Sequence, residues 1–346
     1  ATMRLWFLYL LCVIFIGAET HNYTDQQERT LFILGIVCSL FSFLGACFIL
    51  FNYCMFTEFK QNFAFKLIFC VALGDLITSI GNFMGNPEDN LAFCVIQGVL
   101  AECGALISIL WVTAISLSIW LVISRETPPT NEDTMRWLKY MHFVIWPLIV
   151  ICTILPLLTD SYGPAGGWCW IKGATQADNV WRFLLFYIPL WLCIVFISFV
   201  YCRVWNRLNA NKQHSEGLIE EEEESMNEMG GRGVGDRRES ADNEAKRDTS
   251  SKSSTLQRMK WYPMVLVICY TPATIRRLTE LLTADTVTSP VWLAALQVFF
   301  SGLIGLGNAI VYGYSQRAVR EKDQQWFKQH CCCGEEEQVR VEFPME

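Results

Sequence analysis

Charge is scarce in this chain. Asp, Glu, Lys and Arg make up 18% of its 346 residues, against 52% hydrophobic. Histidine is scarcer: there are 4, and of His21, His142, His214 and His330 only His142 falls in an apolar run. A membrane metallohydrolase needs several metal ligands inside such runs, so that chemistry is excluded. Residues 290–314, the last apolar run, hold no lysine, which excludes a retinal Schiff base there. Asp75 has no second aspartate to pair with, so the carboxylate couple of an aspartyl intramembrane protease is missing. The net charge of −7 comes largely from Glu220 to Glu224, and no basic surface for nucleic acid is implied. No inverted repeat with paired broken helices is visible, which counts against a secondary transporter. No metal and no other cofactor is called for.

What the chain does have is apolar sequence in blocks of about 20 residues, the length that crosses a bilayer as a helix. Of the 15 cysteines, most sit inside these blocks (Cys38, Cys47, Cys70, Cys152, Cys193, Cys269), where a small polarisable hydrophobe is the plain reading. The central block runs from Cys94 to Ser124 with Glu102 as its one charge. As a helix it spans about 45 Å. Cys94 lies at its edge, and a second boundary cysteine, Cys169, stands between Trp168 and Trp170 in the loop GGWCWI. If both face an oxidising side, a disulfide pins that loop over the helix. Cys103 competes for the bond, but lies about 13 Å deeper along the helix.

Residues 1–18 read as a signal peptide, with Arg4 ahead of an apolar core and Gly17-Ala18 supplying small residues for cleavage. An extracellular segment, 19–29, carries the glycosylation acceptor Asn22-Tyr23-Thr24. Seven spans then fill residues 30–314: Thr30 to Met55, Phe63 to Met84, Cys94 to Ser124, Tyr140 to Leu158, Trp181 to Val204, Met259 to Leu282 and Pro290 to Tyr314. A polar loop, 205–258, separates the fifth and sixth and is too charged and too Gly- and Ser-rich to bury a core. The tail is 315–346. Lys60, Lys66, Arg125, Arg136, Lys139, Arg203 and Arg207 gather on one side with the tail, against Arg29, Lys172 and Arg182 on the other. That bias puts the long loop and the C-terminus in the cytosol and the N-terminus outside, in the plasma membrane. The fold class is an all-α, seven-helix membrane bundle with a short amphipathic helix after it.

Within the spans, Asp75 must face the bundle, toward Asn308 or ordered water, either as a switch between packings or as a polar packing hub. Pro147, Pro156, Pro189, Pro263 and Pro272 predict bends, with Pro272 a candidate hinge. Asn308 and Tyr312 share one helical face, beside Gly302, Gly305 and Gly307, which permit close approach of a neighbour. After Tyr314, Val319, Trp326 and Phe327 lie on overlapping faces of a basic helix, and Cys331, Cys332 and Cys333 suit palmitoylation. Ser240, Ser250 and Ser253 in the long loop are candidate phosphorylation sites, in a segment that reads equally as a plain linker.

Leu73-Gly74-Asp75-Leu76, Cys94-Val95-Ile96-Gln97-Gly98, Gly167-Trp168-Cys169-Trp170-Ile171, Asn308 and the terminal cysteines together resemble the slime-mould cyclic-AMP receptor-like seven-helix receptors and their orphan animal relatives. The resemblance covers roughly Thr30 to Cys333. It implies a G-protein-coupled receptor that carries an extracellular ligand's signal to a heterotrimeric G protein, which would meet the long loop and basic cytosolic edges. The chain lacks two marks of the commonest receptor class. Ile123-Ser124-Arg125-Glu126-Thr127 stands where that class has Asp-Arg-Tyr, and Asn308-Ala309-Ile310-Val311-Tyr312 replaces Asn-Pro-x-x-Tyr.

For the ligand site the candidates are Glu102, Trp168, Trp170, Arg276 and Arg277. Adjacent arginines on a helix point about 100° apart, so one aims inward and the other reaches the interface. The inward one either pairs with Glu102 or Glu280 to hold the fold, or anchors an acidic ligand under a tryptophan-rich lid. The competing function is a proton- or anion-coupled transporter, with Asp75, Glu102 and the arginines lining its path.

Overall fold

The computed structural model describes residues 23–85, 90–125, 129–165, 168–172, 180–207, 261–282, 290–315, 319–322 and 324. Residues 1–18, Asn22, Ser240, Ser250, Ser253, Trp326, Phe327 and Cys331 to Cys333, for which the sequence raises expectations, lie outside the described residues.

Helix α1 is Asp25–Met55 and begins five residues earlier than its apolar pattern predicts. Thr24 accounts for this: its hydroxyl accepts from Gln27 N while its own N–H donates to Gln27 Oε1, a reciprocal cap. A short α2, Thr57–Gln61, follows, then α3, Phe63–Phe83, and α4, Leu91–Ile123. Helix α5, Asn131–Leu158, starts nine residues before the expected Tyr140, through the same device between Thr130 and Asp133. Polar caps thus extend these helices past the apolar stretch that marks a span. Strands β1, Tyr162–Pro164, and β2, Cys169–Ile171, form an antiparallel hairpin with Tyr162 opposite Ile171. Helix α6, Val180–Arg207, contains a π-helical turn at Phe183–Tyr187. Pro189 stands two residues past that turn's end; it has no N–H to return to the carbonyl of Leu185, and a widened turn absorbs the defect. Helices α7, Trp261–Leu282, α8, Val291–Gly302, and α9, Ile304–Ser315, complete the bundle.

Among the described residues five helices (α1, α3, α4, α5 and α6) are long and apolar enough to cross a membrane, and α8 with α9 makes a sixth span bent by 44°. Helix α7 has the length, but Arg276, Arg277 and Glu280 dilute its C-terminal third; it packs on α4, α8 and α9. The bend in the last span lies at Leu303, between Gly302 and the Gly305 turn, where no proline stands. Conversely, α5 and α7 run on through Pro147, Pro156 and Pro272. The break in the last span is flanked by glycines, Gly302 on one side and Gly305 on the other.

Helix α4 is the hub. Of its most apolar 18-residue window 61% is buried, against 33% for α1 and for α5. Glycines let its neighbours come close. A Cβ on Gly74 of α3 would stand 2.7 Å from both Gly104 O and Ser108 N of α4. One on Gly45 of α1 would stand 2.7 Å from Gly305 O of α9, whose N–H already donates to Ser42 Oγ at 2.9 Å. Past α9, Val319 is fully buried and Lys322 pairs with Glu58 of α2 at 2.9 Å.

Candidate functional site

The hairpin is bolted to the start of α4. Cys94 and Cys169 are joined by a disulfide, with Cα atoms 5.2 Å apart. Gln97, one turn on, accepts from Cys169 N at 2.9 Å and donates to Gly81 O at 3.1 Å and Gly85 O at 2.7 Å. One amide therefore ties together α3, α4 and β2. Sequence reasoning gave Gln97 no role; its only signal was a polar residue early in an apolar run.

Beside the hairpin a cavity of about 200 Å³ enters the bundle. Gln97 and Ser108 both line it, and they are separated by about 16 Å of helix α4. Its outer part holds Arg276 and Arg277 of α7, Gln297 of α8 and the ring of Trp168. Trp170 and Tyr187 form an aromatic wall, with centroids 5.9 Å apart. Asp75 closes the inner end.

Trp170 is turned into the bundle beside the cavity. It is 8% exposed, and its indole N–H donates to Glu102 Oε2 at 2.7 Å. The paired strand turns Trp170 inward, and the hairpin's tie at Gln97 keeps it there. Glu102 is fully buried, and its Oε1 has no hydrogen-bond partner among the described residues. On its other side Trp170 meets Arg182, whose guanidinium lies 5.6 Å from the ring and whose Nε donates to Ile171 O at 2.7 Å.

Both arginines of α7 line the cavity. Arg277 is buried and its Nε donates to Tyr187 OH at 2.9 Å. Arg276 donates to Gln297 Oε1 at 3.2 Å. Both therefore reach the cavity, since the face 100° around α7 from Arg277 meets Gln297 of α8. The expected partner of Glu102, an arginine, is likewise replaced by Trp170. Tyr187 was not foreseen, since a single tyrosine in an apolar span carries no signal of its role.

At the inner end, Asp75 is 1% exposed and accepts from Ser108 Oγ at 2.8 Å and from Asn308 Nδ2 at 2.7 Å. Helices α3, α4 and α9 thereby meet at one carboxyl group. Asn308 is one of the two partners that its position in the sequence offered; Ser108 was missed. Tyr312, one turn beyond Asn308, packs edge-on against Phe48 and Phe65, each 5.9 Å away. Pro272 is buried within α7.

Comparison with known proteins places these features in a family. The slime mold cyclic AMP receptor family matches residues 22–217. "G-protein coupled receptor 1" of Arabidopsis thaliana is 28% identical over 288 residues, covering 82% of this chain and 78% of its own. "Cyclic AMP receptor-like protein A" of Dictyostelium discoideum is 29% identical over 180 residues, 52% of this chain and 46% of its own. "G-protein coupled receptor 157" of Mus musculus is 24% identical over 314 residues, 88% and 86% respectively. The match spans more than half of the chain, and the chain belongs to the slime mold cyclic AMP receptor family of seven-helix membrane receptors, a family of receptors and not of enzymes.

Proposed function

We propose that the chain is a G-protein-coupled receptor whose acidic extracellular ligand is held by Arg276 and Arg277 and whose signal passes to a heterotrimeric G protein in the cytosol. The observation that carries this reading is the cavity itself: two guanidinium groups from α7 and an aromatic wall from the hairpin share one chamber that ends on the Asp75 cluster. Arginine's planar fork suits carboxylate or phosphate. The relatives' names print cyclic AMP and G-protein coupling, which supports a phosphate-bearing ligand as the first probe. Under this reading the hairpin faces outward, the chain spans the plasma membrane with its N-terminus outside, and the long loop beyond Arg207 faces the G protein. A signal peptide at 1–18, glycosylation at Asn22, phosphorylation at Ser240, Ser250 and Ser253 and palmitoylation at Cys331 to Cys333 belong to the same proposal. Pro272 and the pair Asn308 and Tyr312 are its candidate moving parts.

The transporter reading needs ionisable groups that hand a proton or anion on. Here Asp75 is held by two side chains and Glu102 by an indole, an arrangement that favours a packing switch over a relay. The deciding experiment is nucleotide exchange by purified G proteins of each major class, with the chain in lipid nanodiscs and cyclic AMP as first ligand. Uptake into vesicles is measured in parallel. Ligand-stimulated exchange lost in Arg277→Lys at normal folding supports the reading. Uptake without exchange would replace it with the transporter.

A further inference from the structure

At the bundle end opposite the hairpin, α4 and α6 leave a groove of about 440 Å³, lined by Trp120, Ile123 and Ser124 of α4 and by Phe199, Arg203 and Arg207 of α6. Arg203 and Arg207 are one helical turn apart, so their side chains share a face. Three other basic side chains have protein partners. Arg125 pairs with Asp133 at 3.4 Å and lies 4.8 Å over the ring of Trp137. Lys322 is held by Glu58. Arg320 donates to Gly313 O and Tyr314 O at the end of α9. Arg203 instead rests over the ring of Phe199 at 5.2 Å, and among the described residues neither Arg203 nor Arg207 meets a carboxylate.

The direction these arginines face decides what they bind. Leu192, Val195 and Phe199 are 65%, 66% and 45% exposed and follow one another at intervals of three and four residues along α6. That is the stripe a spanning helix turns to lipid. Arg203 and Arg207 continue the same stripe at its end, and Trp205, 67% exposed, lies between them, as tryptophans do at headgroup depth. A groove that is apolar toward the bilayer core and cationic at the rim matches an amphiphile standing in the leaflet. A protein partner would instead approach along the bundle axis, away from the lipid-facing stripe.

We infer that this groove binds the phosphate-bearing headgroup of an acidic phospholipid of the cytosolic leaflet, with Arg203 and Arg207 clamping phosphate oxygens and Phe199 and Ile123 against the first acyl carbons. Basic pockets between helices on the cytosolic side are suited to polyphosphorylated inositol headgroups. Two arginine forks one turn apart can each take a phosphate bidentately. The leaflet assignment rests on the orientation proposed above; the binding itself does not.

The test is native mass spectrometry of the full chain in detergent, titrated with dioctanoyl phosphatidylinositol bisphosphate and, separately, with soluble inositol trisphosphate. The lipid should bind, and Arg203→Gln with Arg207→Gln should weaken it about ten- to thirty-fold, from about 1 kcal/mol per basic residue at a membrane surface. Arg136→Gln with Lys139→Gln, exposed residues outside the groove, should stay within about two-fold. If the glutamine pair fails to fold, Arg203→Lys with Arg207→Lys keeps the charge and loses the fork, and should still weaken binding several-fold. Unchanged lipid binding in the groove variants overturns the inference. So does an equal loss in the control pair, which would mean diffuse surface charge, or equal affinity for the soluble headgroup, which would mean a free-anion site. Since no receptor ligand or G protein is present, failure of the receptor reading would leave this result standing, and the reverse.

Discussion

Replacing Trp170 by phenylalanine keeps an aromatic ring in the cavity wall and removes the one N–H that reaches Glu102. The bond is 2.7 Å long between groups 8% and 0% exposed, so water cannot take its place. A typical bond contributes about 0.5–1.5 kcal/mol net, and an acceptor left buried and unpaired costs about 1–3 kcal/mol more. Polar links inside membrane bundles fall toward the lower end of such ranges. A loss of about 2 kcal/mol is expected, which lowers the unfolding midpoint by about 3 °C at this size. The smaller ring also loses packing, so the decisive measurement is a cycle with Glu102→Leu. With no carboxyl group to orphan, Trp170→Phe should cost about 1 kcal/mol less in that background than in the parent. Unfolding of the purified chain in detergent can be followed with a thiol-reactive dye, since Cys38, Cys70, Cys152, Cys193 and Cys269 are buried and reduced until the bundle opens. Glu102→Gln, which keeps an oxygen for the indole, should cost under about 1 kcal/mol. Losses in the cycle that add to within about 0.5 kcal/mol would refute the coupling, and with it the idea that this bond holds the hairpin to α4.

Cys94→Ser and Cys169→Ser should each lower surface expression, and the double variant should lose little more, because either change opens the same bond; independent additive losses by flow cytometry would count against a shared role. Gly74→Ala should destabilise the bundle by about 1–3 kcal/mol, because its Cβ would meet backbone atoms of α4 at 2.7 Å that cannot swing aside. Gly313→Ala, with nothing within 4 Å, should stay within about 0.5 kcal/mol in the same melting assay.

What the sequence determined by itself is what depends on composition and on the solvent. A bilayer requires about 20 apolar residues per span, so the runs around Ile36, Val71, Ile109, Ile149 and Ile197 announced their helices. A carboxylate inside such a run has to find a partner, so Asp75 could be turned toward Asn308 before any coordinates. Cys94 and Cys169 at two run edges could be matched for the same reason, because few boundary thiols compete. Helix ends were misplaced where a polar cap outlasts the apolar pattern, as at Thr24 and Thr130. Partner choice at the cavity was decided only by tertiary structure. Glu102 could have met Arg276, Arg277 or Trp170, and the choice fell to a three-residue strand whose pairing turns one tryptophan inward. Helical geometry fixes the angle between Arg276 and Arg277, but not which neighbour stands at each, so the sequence could not show that both line the cavity. The bend at Leu303 followed from glycine contacts with α1 and α7 that no local pattern encodes. Local physics sets where each helix lies along the chain; which faces meet depends on close packing between segments hundreds of residues apart, as between Ser42 and Gly305.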